Sequence, residues 1–85
     1  MFYTYVLWSN IKQHFYVGYS TDLRQRLLQH NAGAVKSTAS GCPWKLVYYE
    51  AYDKDVLARR REKRLKSNGN AWRELRKRIV FDDSL

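Results

Sequence analysis

Tyr5 and Tyr16 stand in two short aromatic and β-branched runs, Thr4–Ser9 and Phe15–Tyr19, divided by the polar stretch Asn10–His14. The pattern reads as a β-hairpin. With a four-residue loop, Asn10–Gln13, Ser9 faces His14, Leu7 faces Tyr16 and Tyr5 faces Gly18. Side chains alternate along a strand, so Tyr5, Leu7, Tyr16 and Gly18 then share one face. The two tyrosines become diagonal neighbours, roughly 7–8 Å apart at Cα. Gly18 leaves space where a ring or a phosphate can approach. The competing reading is a pair of core tyrosines with wetted hydroxyls.

Further along, Arg26 and His30 are four residues apart and stack on one helical face. They flank the Leu23/Leu27 stripe, which places both at the rim of the core. Arginine binds a phosphate as a bidentate fork, and a nearby histidine can donate to the same oxygen or shuttle a proton. A snorkelling arginine and a half-buried histidine are the structural alternative. Glu62 is the only acid in the run Arg59-Arg60-Arg61-Glu62-Lys63-Arg64-Leu65-Lys66. It lies one turn after Ala58 and one turn before Leu65, on the edge of an apolar stripe that Arg61 interrupts. A carboxylate leaning inward within a basic field stays ionised, the state that a Mg²⁺ ligand needs. Charge balancing on an exposed helix is the alternative.

These residues require elements to hold them. Thr21 or Asp22 can cap a helix carrying Leu23, Leu27 and Leu28 and ending near Asn31–Gly33. Val35–Cys42 is polar and small, a loop with one short turn. Trp44–Tyr52 reads as a third strand, apolar on both faces and hence central in the sheet. Asp53 caps a second long helix that stops at Asn68-Gly69, and Asn70 caps a last helix with Trp72, Leu75 and Ile79 in its stripe. The expected order is ββα, loop, βαα, with residues 1–85 as a single domain. The 85 residues hold one thin core, which the 15% aromatic content suits. Net charge is +8, and eleven of the sixteen basic residues follow Glu50, which attracts polyanions. One cysteine, Cys42, fits a reducing interior. With no signal-like start and no apolar run near the roughly 20 residues of a membrane span, the expected location is cytoplasmic. Zinc-ligand spacing, a phosphate-binding glycine loop and a base for Cys42 are all missing from the sequence.

Taken in order, Tyr3–Leu7, Phe15–Tyr19, Ser20–Asn31, Lys36-Ser37-Thr38, Pro43–Glu50 and Ala58–Ser67 resemble the motif series of the GIY-YIG nuclease superfamily. The resemblance is to its small stand-alone bacterial proteins, often described as excinuclease-like, and covers nearly the whole chain. It implies an α/β (α+β) fold with a central three-stranded antiparallel sheet flanked by helices. It also implies a metal-dependent endonuclease cutting DNA, in repair or recombination. By position, Tyr5, Tyr16, Arg26, His30 and Glu62 would be catalytic and Gly18 the small motif residue. Glu62 would hold Mg²⁺ or Mn²⁺. Arg59, Arg60, Lys63, Lys66 and Lys36 would contact DNA, single-stranded or branched DNA included. The first motif departs from the pattern, reading Thr4-Tyr5-Val6 with only the tyrosine kept. An asparagine used by larger members has no clear equivalent in Asn68 or Asn70.

Two other classes of function suit the same residues. One is a non-catalytic or partner-dependent nucleic-acid-binding module with this fold, binding through charge and equally well in chelator. The other is an adaptor docking a repair protein on the basic helix, with poor DNA affinity even at low salt.

Overall fold

The computed structural model describes residues 1–79. Strand β1 (Phe2–Ser9) turns through Asn10–Gln13 into β2 (His14–Ser20). The loop closes on itself: Gln13 N–H donates to the Ser9 carbonyl at 2.8 Å, and Lys12 N–H donates to Ser9 Oγ at 3.0 Å. The antiparallel register pairs Tyr5 with Gly18, Leu7 with Tyr16 and Ser9 with His14, as the sequence predicts.

Strand β3 (Trp44–Tyr52) joins the other side of β1, giving the order β2-β1-β3. Here the sequence expectation fails: β1, and not the third strand, is central. The strand buried on both faces is β1, where Thr4 to Leu7 are at most 2% exposed. The third strand reads as apolar on both faces for another reason. The register against β1 shifts between Val6 and Leu7, leaving Val47 as an extra residue. Val47 and Tyr48 consequently pack on the same side. Tyr49, on the other side, is 53% exposed.

One sheet face is covered by α1 (Leu23–Asn31), the opposite one by α2 (Asp55–Ser67) and α3 (Gly69–Arg76). Under α1 lie Tyr5, Leu7 and Trp44, packed with Tyr16, Leu23, Leu27 and Leu46. Val6, Val17, Leu65, Leu75 and Ile79 form the core under α2 and α3. Asp22 caps α1, its Oδ1 accepting from Gln25 N–H at 3.1 Å. Asp53 does not cap α2; Lys54 occupies that position without a side-chain bond, and Asp55 in the first turn supplies the favourable negative charge. Asn68, not Asn70, caps α3, accepting from Ala71 N–H at 3.0 Å. The last helix ends before Ile79, but its tail tightens through Arg78 N–H to Leu75 O and Ile79 N–H to Arg76 O. Ile79 thereby stays in the core, 5% exposed.

Arg61 breaks the apolar stripe of α2 because its partner is inside. Its Nε and Nη2 donate to the two Glu50 oxygens at 2.9 and 3.1 Å. Tyr48 and Tyr52 donate to the same carboxylate at 2.7 and 2.6 Å. Burial works against this charge, but the guanidinium and the two phenols hold the Glu50 carboxyl below its usual value. Each bond to a charged group is worth about 1.5–3 kcal/mol, so this cluster locks α2 onto β3.

Candidate active site

Alternation along β1 and β2 aims Tyr5 and Tyr16 at the α1 side, and α1 brings His30 between them. The ring centroids of Tyr5 and Tyr16 are 6.4 Å apart, those of Tyr16 and His30 5.1 Å, and those of Tyr5 and His30 5.8 Å. Gly18 is what admits the Tyr5 ring: a Cβ at position 18 would stand 2.4 Å from Tyr5 Cζ and Oη. The space expected beside this glycine is filled by the tyrosine itself.

His30 is fully buried, which corrects the rim position inferred from sequence. It follows Leu23 by seven residues and Leu27 by three, so it continues their stripe. A 3₁₀ turn, Lys36–Gly41, closes over it. His30 Nε2 lies 2.7 Å from Tyr5 Oη, and Nδ1 lies 2.7 Å from Thr38 Oγ1. Thr38 Oγ1 also donates to the Val35 carbonyl at 3.4 Å. A carbonyl only accepts, so the directions along this chain follow. Thr38 gives its proton to Val35, His30 Nδ1–H donates to Thr38, and Tyr5 O–H donates to the bare Nε2. Burial, aided by the Arg26 charge, pushes the imidazole down to about 4, which keeps it neutral. Burial pushes Tyr5 up to about 12 even though Arg26 pulls the other way, so Tyr5 stays protonated.

The neutral imidazole has a measurable consequence. Between its ordinary 6.5 and about 4, the unfolded chain binds a proton that folded His30 refuses. The associated stability is complete above pH 6.5 and is lost as pH falls toward 4, at up to about 1.4 kcal/mol per pH unit. Urea unfolding at pH 5 and 7 should show this loss in the wild-type chain and a flatter dependence in His30→Asn. An equal slope in the variant would assign it to another group.

Tyr16 differs from Tyr5. Its hydroxyl has no hydrogen-bond partner among the described residues, and no buried side-chain polar atom among them is left unpaired. The Tyr16 oxygen therefore faces solvent. Arg26 is half-buried and donates to Gln29 Oε1 at 3.1 Å. Glu62 approaches from α2, close enough that its charge contributes to raising Tyr5. Its side chain is 24% exposed and pairs with Lys66 Nζ at 2.9 Å. Lys66 Nζ in turn lies 5.6 Å from the centre of the Tyr16 ring. Of the five residues singled out in the sequence, Tyr5, Tyr16 and His30 are thus in ring contact, and the charges of Arg26 and Glu62 act on Tyr5.

The basic residues divide. Arg60 and Lys63 are exposed, with no ion pair among the described residues. Arg59 is committed to Asp55 at 3.0 Å and covers the Tyr19 ring at 4.2 Å. Lys36 is exposed at the start of the 3₁₀ turn. Asn70 accepts from Arg73 at 3.1 Å, so both asparagines are engaged at α3. Sequence reasoning passed over Thr38 as a site residue, and over Glu50. A charge on each of two apolar elements, Glu50 and Arg61, was the available signal for the second.

No group of three metal-binding side chains occurs among the described residues, and Glu62 is the carboxylate next to the tyrosines. That donor set suits a hard cation that keeps several waters and takes phosphate oxygens, as Mg²⁺ does. In the structure the carboxylate is paired with Lys66 of its own helix.

A sheet in this order, with paired tyrosines, a buried histidine and a single helix carboxylate, defines a class that comparison with known proteins identifies. A family model described as the GIY-YIG catalytic domain matches residues 1–77. The chain belongs to this family, which is a nuclease family. A UPF0213 protein of Natronomonas pharaonis is 36% identical over 83 residues, covering 96% of this chain and 93% of its own. A UPF0213 protein of Halobacterium salinarum is 39% identical over 61 residues, covering 71% and 79%. The solution NMR structure of a UPF0213 protein from Bacillus halodurans superposes with a TM-score of 0.54 at 30% identity, covering 88% of this chain and 81% of that one. None of these relatives' names states an activity. No helix among the described residues is long and apolar enough to cross a membrane.

Proposed function

We propose that this chain is a metal-dependent endonuclease that hydrolyses DNA phosphodiester bonds. The observation that carries the reading is the unequal pair of tyrosines beside Glu62: Tyr5 locked as a proton donor to His30, Tyr16 open to solvent. Tyr5 commits its proton to His30 and stands as the fixed wall of the site beside Tyr16. Tyr16, having first given its own proton to solvent, takes the proton from the attacking water as a phenolate. Arg26 offsets charge that grows on the phosphate in the transition state. Arg60, Lys63 and Lys36 track the backbone and make binding salt-dependent. Glu62 would hold Mg²⁺ or Mn²⁺, which when bound supplies charge neutralisation at the phosphate and leaving oxygen.

The test is incubation of labelled single-stranded, duplex and branched DNA with the chain in Mg²⁺, Mn²⁺ or EDTA. Cleavage in metal and none in EDTA is expected. The Glu62–Lys66 ion pair favours a second reading, a binding module whose own lysine occupies the cation position. In that case folded protein binds DNA equally in metal and chelator and cuts it in neither.

A further inference from the structure

A cavity of about 440 Å³ runs along the free edge of β2, between that strand and the α2–α3 junction. His14, Phe15, Tyr16 and Trp72 supply its rings, Leu65 an apolar wall and Lys66 a positive charge. We propose that this groove seats one unpaired nucleobase of the bound strand, next to the phosphate held at Tyr16. The proposal rests on the nucleic-acid reading above and names the form of strand that the site takes.

Continuity is the first argument. Tyr16 is a wall of the groove and a member of the candidate active site, and Lys66 reaches both Glu62 and the Tyr16 ring. A strand with a phosphate at Tyr16 must lead its neighbouring nucleotide into or past this groove.

The chemistry of the walls is the second. Flat rings beside a cation are what a base and its phosphate require, because any base offers a face for stacking. Trp72 is set apart from the other two tryptophans. Trp8 donates its indole N–H to Asn10 Oδ1 at 2.7 Å, and Trp44 donates to the Thr38 carbonyl at 2.7 Å. Trp72 Nε1 has no partner among the described residues, and as an unburied polar atom it faces the solvent side. Its ring is held edge-on against Phe15, centroids 5.3 Å apart, and Arg76 lies 4.7 Å above the Phe15 ring. The net charge of +8 selects a polyanion as the occupant over a peptide that lacks acidic residues.

Pairing is the third. A base inside a duplex has its faces stacked and its edge paired, so it must leave the stack to lie against Trp72. The groove therefore favours a strand that is single where it enters.

The test is binding in EDTA, with the shortest fluorescent oligo-dT that still binds with full affinity, so that few registers are open, the same oligo-dT carrying one abasic position moved along it, and a duplex of equal length. One abasic position should weaken binding about tenfold, and Trp72→Leu should abolish that sensitivity while lowering oligo-dT affinity about tenfold. Trp72→Phe, which keeps a ring, should restore most of it, and duplex affinity should not change in either variant. Uniform affinity across all abasic positions overturns the proposal on the wild-type chain alone, whether or not the variants fold. Parallel loss for oligo-dT and duplex also overturns it. A chain that cuts DNA without abasic sensitivity sinks only this inference; abasic sensitivity without cutting sinks only the nuclease reading.

Discussion

Glu62→Gln is expected to slow DNA cleavage about a thousandfold, the rate equivalent of about 4 kcal/mol of transition-state charge stabilisation. The substitution keeps the shape of the side chain and removes its charge. It also dissolves the 2.9 Å pair with Lys66, releasing that lysine. DNA affinity should therefore hold or rise, with a steeper dependence on salt. A surface ion pair of this kind contributes about 0–1 kcal/mol, so thermal stability should barely change. Parallel measurements of single-turnover cleavage and of binding in EDTA separate the two effects. Wild-type cutting by the glutamine variant would remove Glu62 from the metal role.

A single methyl group should be nearly as damaging at Gly18. The new Cβ in Gly18→Ala would meet Tyr5 Cζ and Oη at 2.4 Å, far inside contact distance. Tyr5 cannot swing away like the end of a surface side chain. It is 1% exposed, and its hydroxyl is tied to His30. Overpacking of this type costs about 1–3 kcal/mol, which for a domain of this size lowers Tm by roughly 5–20 °C. Whatever relief the ring finds also misplaces its oxygen, so cleavage should fall at least a hundredfold. Gly69→Ala is the matched control, since a Cβ there meets nothing within 4 Å. It should leave both Tm and cleavage close to wild type. If Gly18→Ala melts and cuts like the control, the close packing of Tyr5 on Gly18 is not what shapes the site.

Some of this was legible in the residues. A hairpin with a four-residue loop has its register fixed by alternation, so the placement of Tyr5, Tyr16 and Gly18 on one face follows directly. Asp22 with Gln25 announces a helix start through local chemistry alone. Other features depend on partners distant in sequence. The position of β3 in the sheet was hidden because one extra residue at Val47 disguises an edge strand as a buried one. The depth of His30 depends on the turn that covers it, and Thr38 gains its role only by lying over that ring. Arg61 looked like a flaw in a helix stripe until Glu50, eleven residues earlier, faced it.

The line of hydrogen bonds from Tyr5 ends at the Val35 carbonyl, an atom that neither gives nor takes a proton in water. It is a blind alley: nothing can be handed inward along it. What it does is set a compass. Because the last acceptor is main chain, the orientation of every hydroxyl and ring nitrogen before it is dictated from the interior. With burial pushing the imidazole down and the phenol up, neither group changes charge near neutral pH to disturb that orientation. The direction in which the Tyr5 hydroxyl points is thus written by the backbone of a turn some thirty residues away.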